Sequence, residues 1–163
     1  MLRPTIALLT TIGTVLFAGL AAQIALGLTN GVPPVHVVII GWLTAAYSLS
    51  GLVAWRCRPE LRFGPLMVLT GISSLVSTLS WADNPVLHTI GQAADVVPLV
   101  LIVHVFVTFP TGRLRGRFEK VLIGAGYVAS IGVQLIAMML GALQPQVITV
   151  VDREPLGTLL FQA

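Results

Sequence analysis

The chain has 163 residues, of which 56% are hydrophobic and 9% charged. A soluble globular domain carries about 25% charged residues, so too few charges remain here to cover a water-facing surface, and the mean hydropathy of +0.96 agrees. The net charge of +3 does not indicate nucleic-acid binding, because the basic residues form two short clusters between apolar runs instead of a stripe on one soluble face.

Five apolar runs follow in chain order, at 5–28, 35–55, 63–82, 86–110 and 121–143. The first two carry no charge, and the fourth is interrupted only by Asp95. A helix rises about 1.5 Å per residue, so about 20 residues cross a hydrocarbon core of roughly 30 Å. The runs do not alternate in polarity as barrel strands would. The expected fold is therefore all-α: an integral membrane helical bundle of five transmembrane helices over residues 1–143. Short links rich in Gly, Asn and Pro make neighbouring helices antiparallel, and Pro85 suits the first turn of the fourth helix. Residues 144–163 read as an outer loop followed by the opening of a further apolar run, too short to span. A fragment of a longer protein and an early-ending gene are the two readings of that interruption. The first run is longer than the 7–15 residues of a typical signal-peptide core, which argues against cleavage.

Orientation follows from the Lys/Arg residues beside the helix ends. Arg3 precedes the first helix; Arg56, Arg58 and Arg62 lie between the second and third; Arg113, Arg115, Arg117 and Lys120 lie between the fourth and fifth. Alternation places all eight on one face and leaves only Arg153 on the other, so the N-terminus of a multi-pass membrane protein is expected in the cytoplasm. The single cysteine, Cys57, excludes an intrachain disulfide and a cysteine-based metal cluster. Its neighbours Arg56 and Arg58 would favour a thiolate, and a juxtamembrane thiol is also open to palmitoylation; an incidental loop thiol is the plainer reading.

Asp95 is the most informative single residue. It lies about nine residues into its helix, about 13 Å deep, where a carboxylate costs about 2.5–3.5 kcal/mol. His88 and Gln92 precede it by seven and three residues, a spacing that puts all three on one helical face. Such a stripe can sense a ligand or protons, or it can glue helices together through hydrogen bonds. Pro98 removes a backbone donor nearby and should bend the helix. His104 and Thr108 form an inner-half polar pair, for which packing competes with ligand binding. In the fifth helix Ala125/Ala129 and Gly126/Ser130 have small-xxx-small spacing, and Ser73, Ser74, Ser77 and Thr78 should bond backbone carbonyls or neighbouring helices in the third. No phosphate-binding loop, HExxH or GxSxG occurs. No catalytic residue, metal site or cofactor is expected within the chain.

Two stretches carry a family resemblance. Residues 51–64, with Trp55-Arg56-Cys57-Arg58-Pro59 and Arg62-Phe63-Gly64, resemble the "W-R-R-P…R-I-G" segment between membrane helices of bacterial sensor histidine kinases. Residues 104–114, from His104 to Phe109-Pro110-Thr111-Gly112-Arg113-Leu114, resemble the "H-x-x-x-x-F-P-[ST]-G-R-L" segment of the same N-terminal membrane regions. The resemblance implies the membrane sensor or anchor part of a two-component system, acting as a homodimer, with a kinase module beyond a further crossing and a response regulator as partner. The chain itself has no dimerisation helix with a phosphoacceptor His and no ATP-binding domain, so kinase activity does not carry over to its residues. A small transporter or channel subunit using Asp95 and Gln92, and a non-functional truncated membrane protein, are the alternatives.

Overall fold

The computed structural model describes residues 4–139. Its elements are α1 (Ile6–Thr29), α2 (Pro34–Cys57), α3 (Phe63–Ser77), a 3₁₀ turn (Thr78–Trp81), α4 (Pro85–Ala94), α5 (Val97–Thr108) and α6 (Arg117–Met139). No strand occurs among the described residues. Counting α3 with its 3₁₀ turn and α4 with α5, the chain makes five helical spans of 19 to 24 residues, each long and apolar enough to cross a bilayer. The all-α membrane bundle expected from the apolar runs is the fold observed. Residues 1–3 and 140–163 lie outside the described residues. So do Arg3, Arg153, the end of the run at 121–143 and the outer segment at 144–163.

The burial pattern is that of a protein solvated by lipid. The largest fully buried side chains are Thr44, Thr70, Thr108 and Ser74, whereas Phe17, Trp42, Phe106 and Phe118 are each more than 70% exposed. In water the exposed rings would be a liability. In hydrocarbon, apolar burial between helices gains little, and close packing of small residues with interhelical hydrogen bonds replaces it.

Helix ends are set by local chemistry. The Thr5 hydroxyl accepts from the Leu8 amide at 3.2 Å to start α1, and Gly31 at φ 72° lets the chain leave it. Pro34 opens α2 where a missing amide costs nothing. The Asn84 side chain accepts from the Val86 and Leu87 amides ahead of α4. Glu119 reaches back to the Arg115 and Gly116 amides at 2.8 and 3.2 Å, the returning half of a capping box. That cap starts α6 at Arg117, four residues before the apolar run, so Arg117 and Lys120 belong to its first turn and not to a loop.

The α3 helix is central and touches α1, α2, α4 and α5. Its tightest neighbour is α2. A Cβ added at Gly51 would stand 2.7 Å from the Val68 amide nitrogen, and one at Gly64 2.5 Å from that of Trp55. One at Gly71 would collide with the Ser48 hydroxyl. These glycines let two antiparallel backbones meet along their length. At the other end of α3, the Asn30 amide donates to the Trp81 carbonyl at 2.8 Å and ties the α1–α2 turn to the 3₁₀ turn.

One expected helix is two. The run at 86–110 is interrupted at Asp95 and Val96, with α4 before and α5 after. The cause is Pro98, whose ring displaces the carbonyl of residue 94 and whose nitrogen has no proton to donate. The Asp95 amide instead bonds the Gln92 carbonyl, three residues back, at 3.2 Å. Asp95 and Val96 keep right-handed helical dihedrals and Pro85–Thr108 remains one span, so the disturbance expected from Pro98 is local to these two residues. The α5 helix also stops at Thr108, short of residue 110.

Candidate functional site

The mid-span stripe divides into three different environments. His88 is buried, at 7% exposure, and its Nε2 has no protein partner among the described residues. Gln92 accepts from the Gln134 side chain of α6 at 3.3 Å. Asp95 is exposed on the flank of the bundle and its carboxylate has no hydrogen bond or ion pair among the described residues. No hydrogen bond joins the three. Asp95 closes α4 with helical dihedrals of its own, φ −59° and ψ −39°, so the helical spacing persists and it is the surroundings of the three side chains that differ.

Asp95 is nevertheless well placed to respond to its surroundings. It stands near the middle of the Pro85–Thr108 span. Behind it is the C-terminal end of α4, whose dipole opposes a negative charge; ahead is the N-terminal end of α5, whose dipole favours one.

The inner-half pair also separates. His104 Nδ1 and the Tyr127 hydroxyl lie 3.0 Å apart, linking α5 to α6. Thr108 is 1% exposed and donates to the His104 carbonyl at 2.7 Å, so it serves its own helix and is closed to a ligand.

A second polar constellation lies between α1, α2 and α3. The Thr44 hydroxyl is 2.8 Å from that of Ser74 and 3.3 Å from Gln23 Oε1. Gln23 Nε2 and Ser48 Oγ are buried without a protein partner among the described residues. The Ser74 hydroxyl thus bonds a neighbouring helix as expected, and Ser73, Ser77 and Thr78 bond backbone carbonyls; Gln23, Thr44 and Ser48 are the unforeseen members. An uncharged amide or hydroxyl inside an apolar run was the available signal, and it also marks Gln134.

At the opposite end of the bundle from the Asn30–Trp81 link, the two resembling stretches meet. The Phe63 and Phe109 rings pack edge to face with centroids 5.4 Å apart. Gly112, at φ 69°, presses against the backbone of Arg62 and Phe63 so closely that any Cβ there would collide. The turn itself is held by the Thr111 and Gly112 amides on the Thr108 carbonyl. Arg58, Phe63, Gly64, Phe109 and Pro110 line a shared cavity of about 390 Å³. Arg56 lines a separate cavity with the exposed Cys57 and Glu60. Among the described residues the small side chains of α6 are mostly without neighbours: Ala125 and Ala129 are exposed, and none of the described atoms lies within 4 Å of a Cβ at Gly124 or Gly132.

Comparison with protein-family models, with curated proteins and with solved structures returns no match.

Proposed function

We propose that this multi-pass membrane protein is the input region of a two-component sensor histidine kinase in a bacterial plasma membrane, with its N-terminus in the cytoplasm. The observation that carries the reading is the junction of residues 51–64 with residues 104–114, made by the Phe63–Phe109 contact and the close approach of Gly112 to Phe63. Segments far apart in sequence and resembling one family's two loop patterns form one structural unit. That unit gives a signal a route. A change of charge or contact at Asp95 alters the angle between α4 and α5. The α5 helix ends in the turn that rests on the start of α3, so its movement reaches both basic loops. A two-state output element fused beyond the chain would then be biased by whichever arrangement the signal favours. In a homodimer the exposed small-residue face of α6 would meet its copy.

The reading frame across codon 163 tests the proposal. A further crossing followed by a dimerisation helix with a phosphoacceptor His and an ATP-binding domain is expected. A stop codon at that point, together with solute or proton flux in liposomes that Asp95→Asn abolishes, would overturn it. Orientation is checked separately by phosphatase fusions, expected to be active after Leu143 and silent after Gly116.

A transporter or channel subunit is the second reading, favoured by one observation. The Pro85–Thr108 span is disturbed at its midpoint beside a carboxylate, with the Gln92–Gln134 bond one turn away, and interrupted helices at mid-membrane are where transporters place ion sites.

A further inference from the structure

Three cations from three separate segments converge on one cavity. Arg62 precedes the first turn of α3, Arg113 follows the turn that ends α5, and Lys120 lies in the first turn of α6; all line a cavity of about 720 Å³. Like charges repel, and although all three side chains are exposed, an anion among them would relieve that repulsion. Among the described residues no acidic side chain lines the cavity and no ion pair forms. The nearest carboxylate in sequence, Glu119, is committed to the Arg115 and Gly116 amides.

The place is built, not incidental. Gly112, in a left-handed conformation, lies against the Arg62–Phe63 backbone and so fixes where Arg113 leaves the turn. His104 also lines the cavity, with its Nδ1 engaged by Tyr127 and its Nε2 without a hydrogen bond among the described residues. Below the cations the wall becomes apolar, with Pro65, Leu66 and Leu69 following α3 toward the bilayer interior. Four residues of helix cover about 6 Å. A charged rim at the interface above an apolar wall suits a ligand with a phosphate at one end and hydrocarbon at the other.

We propose that this cavity binds the headgroup of an anionic phospholipid, its phosphate among Arg62, Arg113 and Lys120 and the upper part of an acyl chain along Leu66 and Leu69. Basic pockets between transmembrane helices on the cytoplasmic side are suited to such headgroups. The inference requires that the chain span a bilayer; it does not depend on a sensory role.

Native mass spectrometry of the detergent-purified 163-residue chain, titrated with dioleoyl phosphatidylglycerol or dioleoyl phosphatidylcholine, tests it. Retention of phosphatidylglycerol in clear preference to phosphatidylcholine is expected. Arg113→Gln and Lys120→Gln should each weaken that retention about fivefold, the effect of about 1 kcal/mol per cation. Arg113→Lys should keep it. Arg56→Gln and Arg117→Gln remove cations near the same end but outside this cavity, and should leave it unchanged. Lys120 is exposed, so its variant tests the site even if a change at Arg113 impairs folding. Equal retention of the two lipids would overturn the proposal. So would equal losses in Arg56→Gln and Arg113→Gln, which would mean diffuse surface attraction. Displacement of the lipid by inorganic phosphate at matching concentration would identify a free-phosphate site and overturn the lipid assignment.

Discussion

The α2–α3 interface and the α5–α6 interface use small residues in opposite ways. Along α2 and α3, Gly51, Gly64 and Gly71 each face backbone or a Ser hydroxyl at a distance that leaves no room for a methyl group. On α6, of the residues with the small-xxx-small pattern visible in sequence, only Gly126 and Ser130 turn inward, toward Val100 and the core, while Ala125 and Ala129 look outward. The α5–α6 contact relies instead on a side-chain pair, His104 and Tyr127. The lesson is that a small-residue motif marks a helix face able to approach something closely, but not what it approaches. Only the partner's backbone decides that.

The largest expected effect tests the glycine seam. Gly64→Leu or Gly71→Leu should cost about 3 kcal/mol or more, the upper end for overpacking a tight contact, in unfolding of the chain in micelles. Gly124→Leu and Gly132→Leu should not destabilise the monomeric chain and should gain up to about 1 kcal/mol from helix propensity. Equal losses in the two sets would erase the contrast between the interfaces.

Asp95→Leu should act in the other direction. Removing a carboxylate from mid-span should favour membrane insertion of the Pro85–Thr108 segment by about 2.5 kcal/mol, read from a glycosylation-reporter insertion assay. An unchanged or poorer insertion would mean that Asp95 already has a partner that compensates it.

The smallest effect sharpens the comparison. Double-mutant cycles for His104 with Tyr127 and for Thr44 with Ser74 should each give a coupling of about 0.6 kcal/mol, typical of interhelical hydrogen bonds in membranes. Similar values would show that polar bonds are equal in the two halves and that glycine contact makes the difference. A coupling several times larger at His104–Tyr127 would reverse the ranking of the interfaces.

The spans were legible in the sequence because hydropathy and length are one-dimensional properties, and the five runs became five spans within a few residues. Pro98 disclosed a disturbance in the fourth. Its severity was hidden, because whether a helix bends or breaks depends on what neighbouring helices offer the freed backbone groups. The candidate site was less legible. Helical spacing grouped His88, Gln92 and Asp95, but the neighbouring helices bury His88, give Gln92 a partner at Gln134 and leave Asp95 exposed. The Thr44–Ser74–Gln23 cluster joins three helices, and no periodicity within one run reports on another. The meeting of Phe63 with Phe109 had the same character: each stretch was visible, their contact was not.

The broken fourth span has a consequence for biosynthesis. Its pieces, of 10 and 12 residues, are each too short to bridge the hydrocarbon alone, since about 20 residues are required. The insertion channel must therefore release α4 and α5 as one unit, with an acidic group and a gap in the hydrogen-bond ladder at its waist. That unit has the highest mean hydropathy of the five spans and can stay among lipids by itself, but the Gln92 side chain meets Gln134 only once α6 has arrived. The polar contacts of this half are thus completed late in synthesis, while the glycine-sealed α2–α3 hairpin can form as soon as its own two helices have left the ribosome.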